Sequence, residues 1–132
     1  MKIITKLLAN RVQKEIIPLV HKNQYGFIRS KSIHDCIAWA FEYLHIYHKS
    51  KKEIVIIKLD FEKALDMVGY KAILTMVKHL GFGDKFVKWV RNILNSAATA
   101  AILNGVPGKI IHCKRGVRQG DPLSPLLFCL YS

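Results

Sequence analysis

The chain has 132 residues, with 21 Lys and Arg against 9 Asp and Glu, a formal charge of +12 and a pI near 9.8. Hydrophobic residues make up 51%, which excludes a disordered chain, and the length excludes more than one ordinary domain. No apolar run approaches the ~20 residues of a bilayer span, and the basic excess points to a polyanionic partner, nucleic acid above all.

Ile3, Ile4, Leu7, Leu8, Val12, Ile16 and Leu19 recur at helical spacing, predicting an amphipathic helix to about Ile17, where Pro18 disfavours its continuation. Lys6, Asn10, Arg11, Gln13, Lys14 and Glu15 interrupt any signal-peptide core in this stretch. A turn-rich segment follows over residues 21–32. Ser32 reads as the N-cap of a second helix reaching about His48, with Asp35 three positions on. Residues 53–59 (EIVIIKL) are short, β-branched and almost wholly apolar, the pattern of a central strand covered on both faces.

Two helices are expected over 70–80 and 84–95, separated by Gly81-Phe82-Gly83. Residues 99–103 and 109–113 flank an Asn104-Gly105-Val106-Pro107-Gly108 turn and read as a hairpin-like pair. A final apolar helix begins near Pro122 and carries Leu123, Leu126, Leu127 and Leu130 on its buried face. Strands interspersed with helices, without a regular βαβ repeat, predict an α+β fold, helix-rich with a small incomplete antiparallel sheet. Both termini interrupt apolar periodic segments, so a fragment of a longer protein is expected. Trp39, Phe41, Phe86 and Trp89 lie among aliphatics at helical spacing and are expected in the core. So is Cys36.

Cys36, Cys113 and Cys129 are widely spaced and form no Cys-x-x-Cys pair, so reduced thiols in an intracellular setting, nucleus or cytoplasm, are expected. His45 and His48 lie three apart on the second helix with no third ligand type nearby, and read as a solvated face. Lys49, Lys51 and Lys52 suit either a nucleic-acid backbone or an ordinary basic turn.

Two stretches carry chemistry. In residues 58–66 (KLDFEKALD), Asp60 follows the apolar run and Asp66 lies six residues later. A turn between them would let both carboxylates approach one divalent cation, and Mg²⁺ needs only one or two carboxylates plus substrate phosphates. The spacing is equally served by Asp60 capping the following helix and Asp66 being a surface charge. In residues 115–128 (RGVRQGDPLSPLLF), Arg115 and Arg118 flank Gly116-Val117, and Gln119-Gly120-Asp121-Pro122 leads into the last helix. Arginine forks fit phosphate, Gln119 donates and accepts, and a helix N-terminus favours anions. A helix start capped by Asp121 beside an ordinary basic loop fits the same residues.

Taken with the Leu7-Leu8-Ala9-Asn10-Arg11 and residue 23–28 (NQYGFI) stretches, and with the 104–108 turn, these motifs resemble the reverse transcriptase domain of plant non-LTR (LINE-type) retrotransposons along nearly the whole chain. The resemblance implies part of a right-hand polymerase, with fingers-like helices over about 1–53 and a partial palm over about 54–132. It implies an RNA-directed DNA polymerase working by two-metal nucleotidyl transfer with Mg²⁺ or Mn²⁺, on an RNA template, a DNA primer and deoxynucleoside triphosphates.

By the same resemblance Asp60 is the first catalytic, metal-binding aspartate and the Phe61 backbone lies beside the metal. Leu65 falls where an aromatic normally screens the sugar, and Gln119 and Gly120 line the incoming-nucleotide site. Arg29 and Lys31 belong to a fingers loop that contacts the triphosphate or template, Lys31 standing where arginine is usual. Lys114, Arg115 and Arg118 are phosphate contacts. Met67-Val68-Gly69-Tyr70 replaces a more polar stretch. The family's Ala-Asp-Asp hairpin has no counterpart, since no two aspartates are adjacent, so the isolated chain is expected to be inactive. The alternative is a non-catalytic, basic nucleic-acid-binding remnant.

Overall fold

The computed structural model describes residues 2–131. The first helix, α1 (Lys2–Glu15), runs into a single 3₁₀ turn at Ile17–Leu19, with Pro18 inside that turn as its fixed φ permits. The second, α2 (Ile33–Ser50), is capped at its start by Ser32, whose side-chain oxygen accepts the His34 N–H at 3.1 Å. It ends on Lys51 in the left-handed region, φ 53°. A short α3 (Ala64–Met67) precedes α4 (Tyr70–His79) and α5 (Asp84–Asn95). Four two-residue strands follow: β1 (Ala98–Thr99), β2 (Ile102–Leu103), β3 (Val106–Pro107) and β4 (Ile111–His112). The last helix is α6 (Ser124–Tyr131).

The strands nest in one antiparallel excursion. Within it β2 pairs with β3 (Leu103 opposite Val106), and outside that β1 pairs with β4 (Ala98 opposite His112). Helices with small antiparallel sheets make the fold α+β, as the element pattern predicts.

The core forms where α4 packs on α5 and α6, and α1 packs on α6. Leu8, Val12 and Ile16 meet Ile73 and Val77, Val90 and Leu94, and Leu123, Leu127 and Leu130 in one buried cluster. These positions are three or four apart on each helix, so one apolar stripe per helix faces inward. The loop before α2 is tied to α6 through Cys129. Its Sγ accepts from the Gln24 side-chain amide at 3.4 Å and lies 3.5 Å from the Gly26 carbonyl, while Ile28 enters the core. Burial raises the Cys129 pKa, against a lowering by the Gln24 hydrogen bond.

Two expectations are overturned. Residues 53–59 form no strand: residues 52–61 carry no regular secondary structure, and Val55 is 87% exposed. A strand needs a neighbour for its N–H and C=O groups, and no described strand pairs with this segment. The aromatic residues of α2 are not core either. Trp39 is 52% and Phe41 67% exposed, and α2 buries none of its residues. Trp39, Tyr43 and Tyr47 instead meet in tilted pairs at 4.8 and 5.3 Å along one face, an i, i+4 pairing that supports a helix, and that face borders a hollow shared with Ile54, Val55, Ile56 and Ile57. Trp89 is 44% exposed on α5, whereas Phe86 is part-buried against the core and stacks with Phe82. Cys36 is half-buried. No helix among the described residues is long and apolar enough to cross a membrane.

Candidate functional site

The segment 65–69, in and just after α3, and the loop before α6 are far apart in sequence and lie side by side. The Gly116 N–H donates to the Val68 carbonyl at 2.8 Å, the Val117 N–H donates to the Leu65 carbonyl at 3.0 Å, and Gly69 pairs with Arg115 as an isolated antiparallel bridge. Gly116 is required twice over. Its φ is +82°, and a Cβ there would stand 2.8 Å from the Asp66 carbonyl oxygen and 3.1 Å from the Asp66 Cα. Val117 is buried, so the clamp is anchored in the core.

On this clamp the Gln119 side-chain amide donates to Asp66, 3.1 Å to Oδ1 and 3.4 Å to Oδ2. Around the pair opens a cleft of about 230 Å³ whose lining includes Asp66, Tyr70, Cys113, Arg115, Arg118 and Gln119. That volume accommodates a sugar or a phosphate, and is smaller than the ~300–1,000 Å³ of a pocket that swallows a whole ligand. Arg118 is steadied by donating to the Ser96 carbonyl at 3.3 Å. The Tyr70 hydroxyl is buried without a hydrogen-bond partner among the described residues. Burial raises its pKa above 10.0, the charge of Cys113 raises it further, and the Arg118 guanidinium lowers it.

The residues singled out from the sequence divide into three groups. Gln119, Arg115 and Arg118 line the cleft, and Gly120 follows directly, exposed, at φ +76° with open space where a Cβ would go. Lys114 is exposed just outside the lining. Leu65 is part-buried against the core, and its carbonyl is one end of the clamp.

Asp60 and Phe61 form the second group. Both are exposed on the irregular segment and neither lines the cleft; Phe61 is 75% exposed.

Arg29 and Lys31 form the third. Arg29 donates to Asn10 Oδ1 at 3.2 Å and borders a separate hollow of about 160 Å³ shared with Lys6, Gln13, Pro122 and Pro125. Lys31 donates to the Lys22 carbonyl at 2.6 Å and the His21 carbonyl at 3.4 Å, with its ammonium 5.5 Å from the centre of the Tyr25 ring. Its charge closes the loop on which it rides.

Asp121 is buried. Its Oδ1 accepts the Leu123 N–H at 2.9 Å, turning the chain into α6, and its Oδ2 has no hydrogen-bond partner among the described residues. Among the described residues no three His, Cys, Asp or Glu side chains gather closely enough to hold a metal. Sequence reasoning missed the partnership of Asp66 with Gln119 and the presence of Tyr70 in the cleft. The one available signal was a lone carboxylate in the apolar Ala64–Met67 turn.

The family described as reverse transcriptase (RNA-dependent DNA polymerase) matches residues 1–132. The chain belongs to that family. Among its relatives, the transposon TX1 uncharacterized 149 kDa protein of Xenopus laevis is 27% identical over 129 residues, covering 98% of this chain and 10% of that protein. The retrovirus-related Pol polyprotein from the type-2 retrotransposable element R2DM of Drosophila melanogaster is 32% identical over 127 residues, 96% of this chain and 12% of that one. A Pol polyprotein from the type-1 element R2 of Popillia japonica is 33% identical over 86 residues, 65% of this chain and 14% of that one. Two of these relatives are named as Pol polyproteins of retrotransposable elements and one as a transposon protein, in agreement with the retrotransposon reverse transcriptase resemblance read from the motifs. The chain spans between 10% and 14% of the length of these three relatives.

Proposed function

We propose that the chain supplies the nucleotide-facing wall of a retrotransposon RNA-directed DNA polymerase, with residues 1–53 acting as fingers-like helices and 54–132 as the first half of the palm. The observation that carries this reading is the clamp between residues 65–69 and 115–117. It joins the two motif-bearing stretches into one cleft with two guanidinium groups and an amide on its wall. Gln119 and Gly120 meet the sugar and base of an arriving deoxynucleoside triphosphate, with Leu65 behind them. Arg115 and Arg118, with Lys114 outside, draw in phosphate by charge and by bidentate geometry. Arg29 reaches the template or triphosphate from the other side of the α6 entrance. Lys31 serves that loop by bracing it, since its ammonium is already spent on two carbonyls.

The metal can be judged from the donors. Asp60 and the carbonyl of Phe61 are hard oxygen ligands of the kind Mg²⁺ or Mn²⁺ takes, and Asp60 is exposed. Asp66 is engaged by Gln119. One carboxylate and one carbonyl fit a single cation shared with a triphosphate; they do not fit the pair of cations that nucleotidyl transfer uses. When bound, such a cation neutralises phosphate charge. What these residues do themselves is attract, orient and hold the nucleotide, which is the larger part of the work in phosphoryl chemistry.

The test is a titration of the ¹⁵N-labelled chain with dTTP and Mg²⁺. Amide shifts concentrated at residues 60–66 and 115–120, and weakened in Asp60→Asn, are expected. Shifts absent from both stretches at saturating nucleotide would refute the reading.

A further inference from the structure

We infer that Asp66 is a positioning residue for the nucleotide site, acting through Gln119: it fixes which end of the amide faces the ligand, and so makes Gln119 a reader of donors. The inference rests on the reading of Gln119 as a nucleotide contact and adds to it the residue that sets its polarity.

A primary amide offers two chemically opposite ends, a carbonyl that accepts and an NH₂ that donates, and nothing in a free glutamine chooses between them. Beside an ionised carboxylate the choice is forced, because a carboxylate has only acceptors to offer. The 3.1 and 3.4 Å contacts with Asp66 therefore assign Nε2 inward whatever orientation is written for the amide. The hydrogen bond is charge-assisted, stronger than one between two neutral groups. Oε1 of Gln119 carries no hydrogen bond among the described residues, and remains as the accepting group on the cleft wall.

The backbone of Asp66 is held from two sides. Its N–H donates to the Lys63 carbonyl at 2.8 Å at the start of α3, and the Gly116 backbone passes so close to its carbonyl that a Cβ there would stand 2.8 Å away. An exposed side chain such as Gln119 ordinarily spreads over several rotamers; here a fixed partner restrains it.

Two consequences follow for the ligand. The oxygens of an ionised triphosphate are acceptors, so neither Oε1 nor the Asp66 carboxylate suits them, and the phosphates go toward the arginine side of the wall. The donors on a deoxynucleotide are its sugar hydroxyl and its base N–H groups. Of these the hydroxyl is common to all four nucleotides, so Gln119, oriented by Asp66, accepts from the sugar hydroxyl.

The experiment compares the Mg²⁺ complexes of dTTP and 2′,3′-dideoxy-TTP, which share base and phosphates, binding to the 132-residue chain. A net hydrogen bond predicts that wild type binds dTTP about 3- to 10-fold more tightly. Asp66→Asn frees the amide to turn over, and the ratio falls below about twofold; Asp66→Glu keeps an acceptor-only partner and restores part of it. In the wild-type chain an NOE links the Gln119 side-chain amide protons to the Asp66 Hβ protons, a readout that does not depend on any variant folding. A wild-type ratio near one, an unchanged ratio in Asp66→Asn, or the absence of that NOE overturns the inference while leaving nucleotide binding in place. Failure of the wild type to bind either nucleotide overturns the nucleotide reading, and the inference with it.

Discussion

Replacing Gly116 by alanine should unseat the clamp, and a matched substitution at Gly120 measures how much of the damage is local strain. Both glycines have positive φ, +82° and +76°. Forcing alanine into that region costs about 1–2 kcal/mol at either site. Only at position 116 does the new methyl group collide, 2.8 Å from the Asp66 carbonyl oxygen and 3.3 Å from its carbonyl carbon. Those atoms are backbone and cannot swing aside, so the loop must lift, weakening the hydrogen bonds to Val68 and Leu65, each worth about 1 kcal/mol net.

Gly116→Ala should therefore destabilise the chain by about 2 kcal/mol more than Gly120→Ala. At about 2.1 cal/mol/K of unfolding entropy per residue, that separates their Tm values by about 7 °C. Urea and thermal unfolding followed by far-UV circular dichroism read this directly. If the two variants melt within about 1 °C of each other, the close approach at Gly116 is not what holds the stretches together.

Two other outcomes can be checked with the same material. Tyr70→Phe removes a buried hydroxyl that has no partner among the described residues, so stability at pH 7 should be unchanged or higher by up to about 1 kcal/mol. Because burial raises the Tyr70 pKa in the folded state, the stability linked to it is complete below pH 10 and drains away as pH rises past the unfolded value; Tyr70→Phe should flatten that alkaline decline in urea melts between pH 9 and about 11. An RNA–DNA hybrid should bind the +12 chain with an affinity that falls steeply between low and moderate salt in fluorescence anisotropy. The same hybrid with Mg²⁺ and nucleotides should not be extended, and template-dependent product would contradict the single-cation donor set described for Asp60.

Local sequence carried much of this architecture. The break at Gly81-Phe82-Gly83 followed by an amphipathic run defines α5, which begins at Asp84 and ends at Asn95 as its pattern predicts. Ser32 announces α2, and the Leu123, Leu126, Leu127, Leu130 spacing announces the buried face of α6. What local pattern does not contain is the identity of a neighbour. The 53–59 run is as β-branched as any central strand, but pairing is a property of two segments, and no described strand lies against it. The periodicity of Trp39 and Phe41 shows that α2 has an apolar face without showing anything packed on it. The motif around Gln119 was legible as a ligand-binding loop. Its link to Asp66 was not, because the two residues are 53 apart and meet only through a turn, α3, too short to register as a helix.

The approach of Gly116 to Asp66 has a consequence for how such a chain drifts over generations. The width of the gap is gauged by main-chain atoms alone, a carbonyl nesting where a methyl would be. Side chains to either side can change without altering that gauge. A lineage can therefore shed much of its original lettering and keep the slot, and the one change it cannot absorb there is the addition of a single carbon.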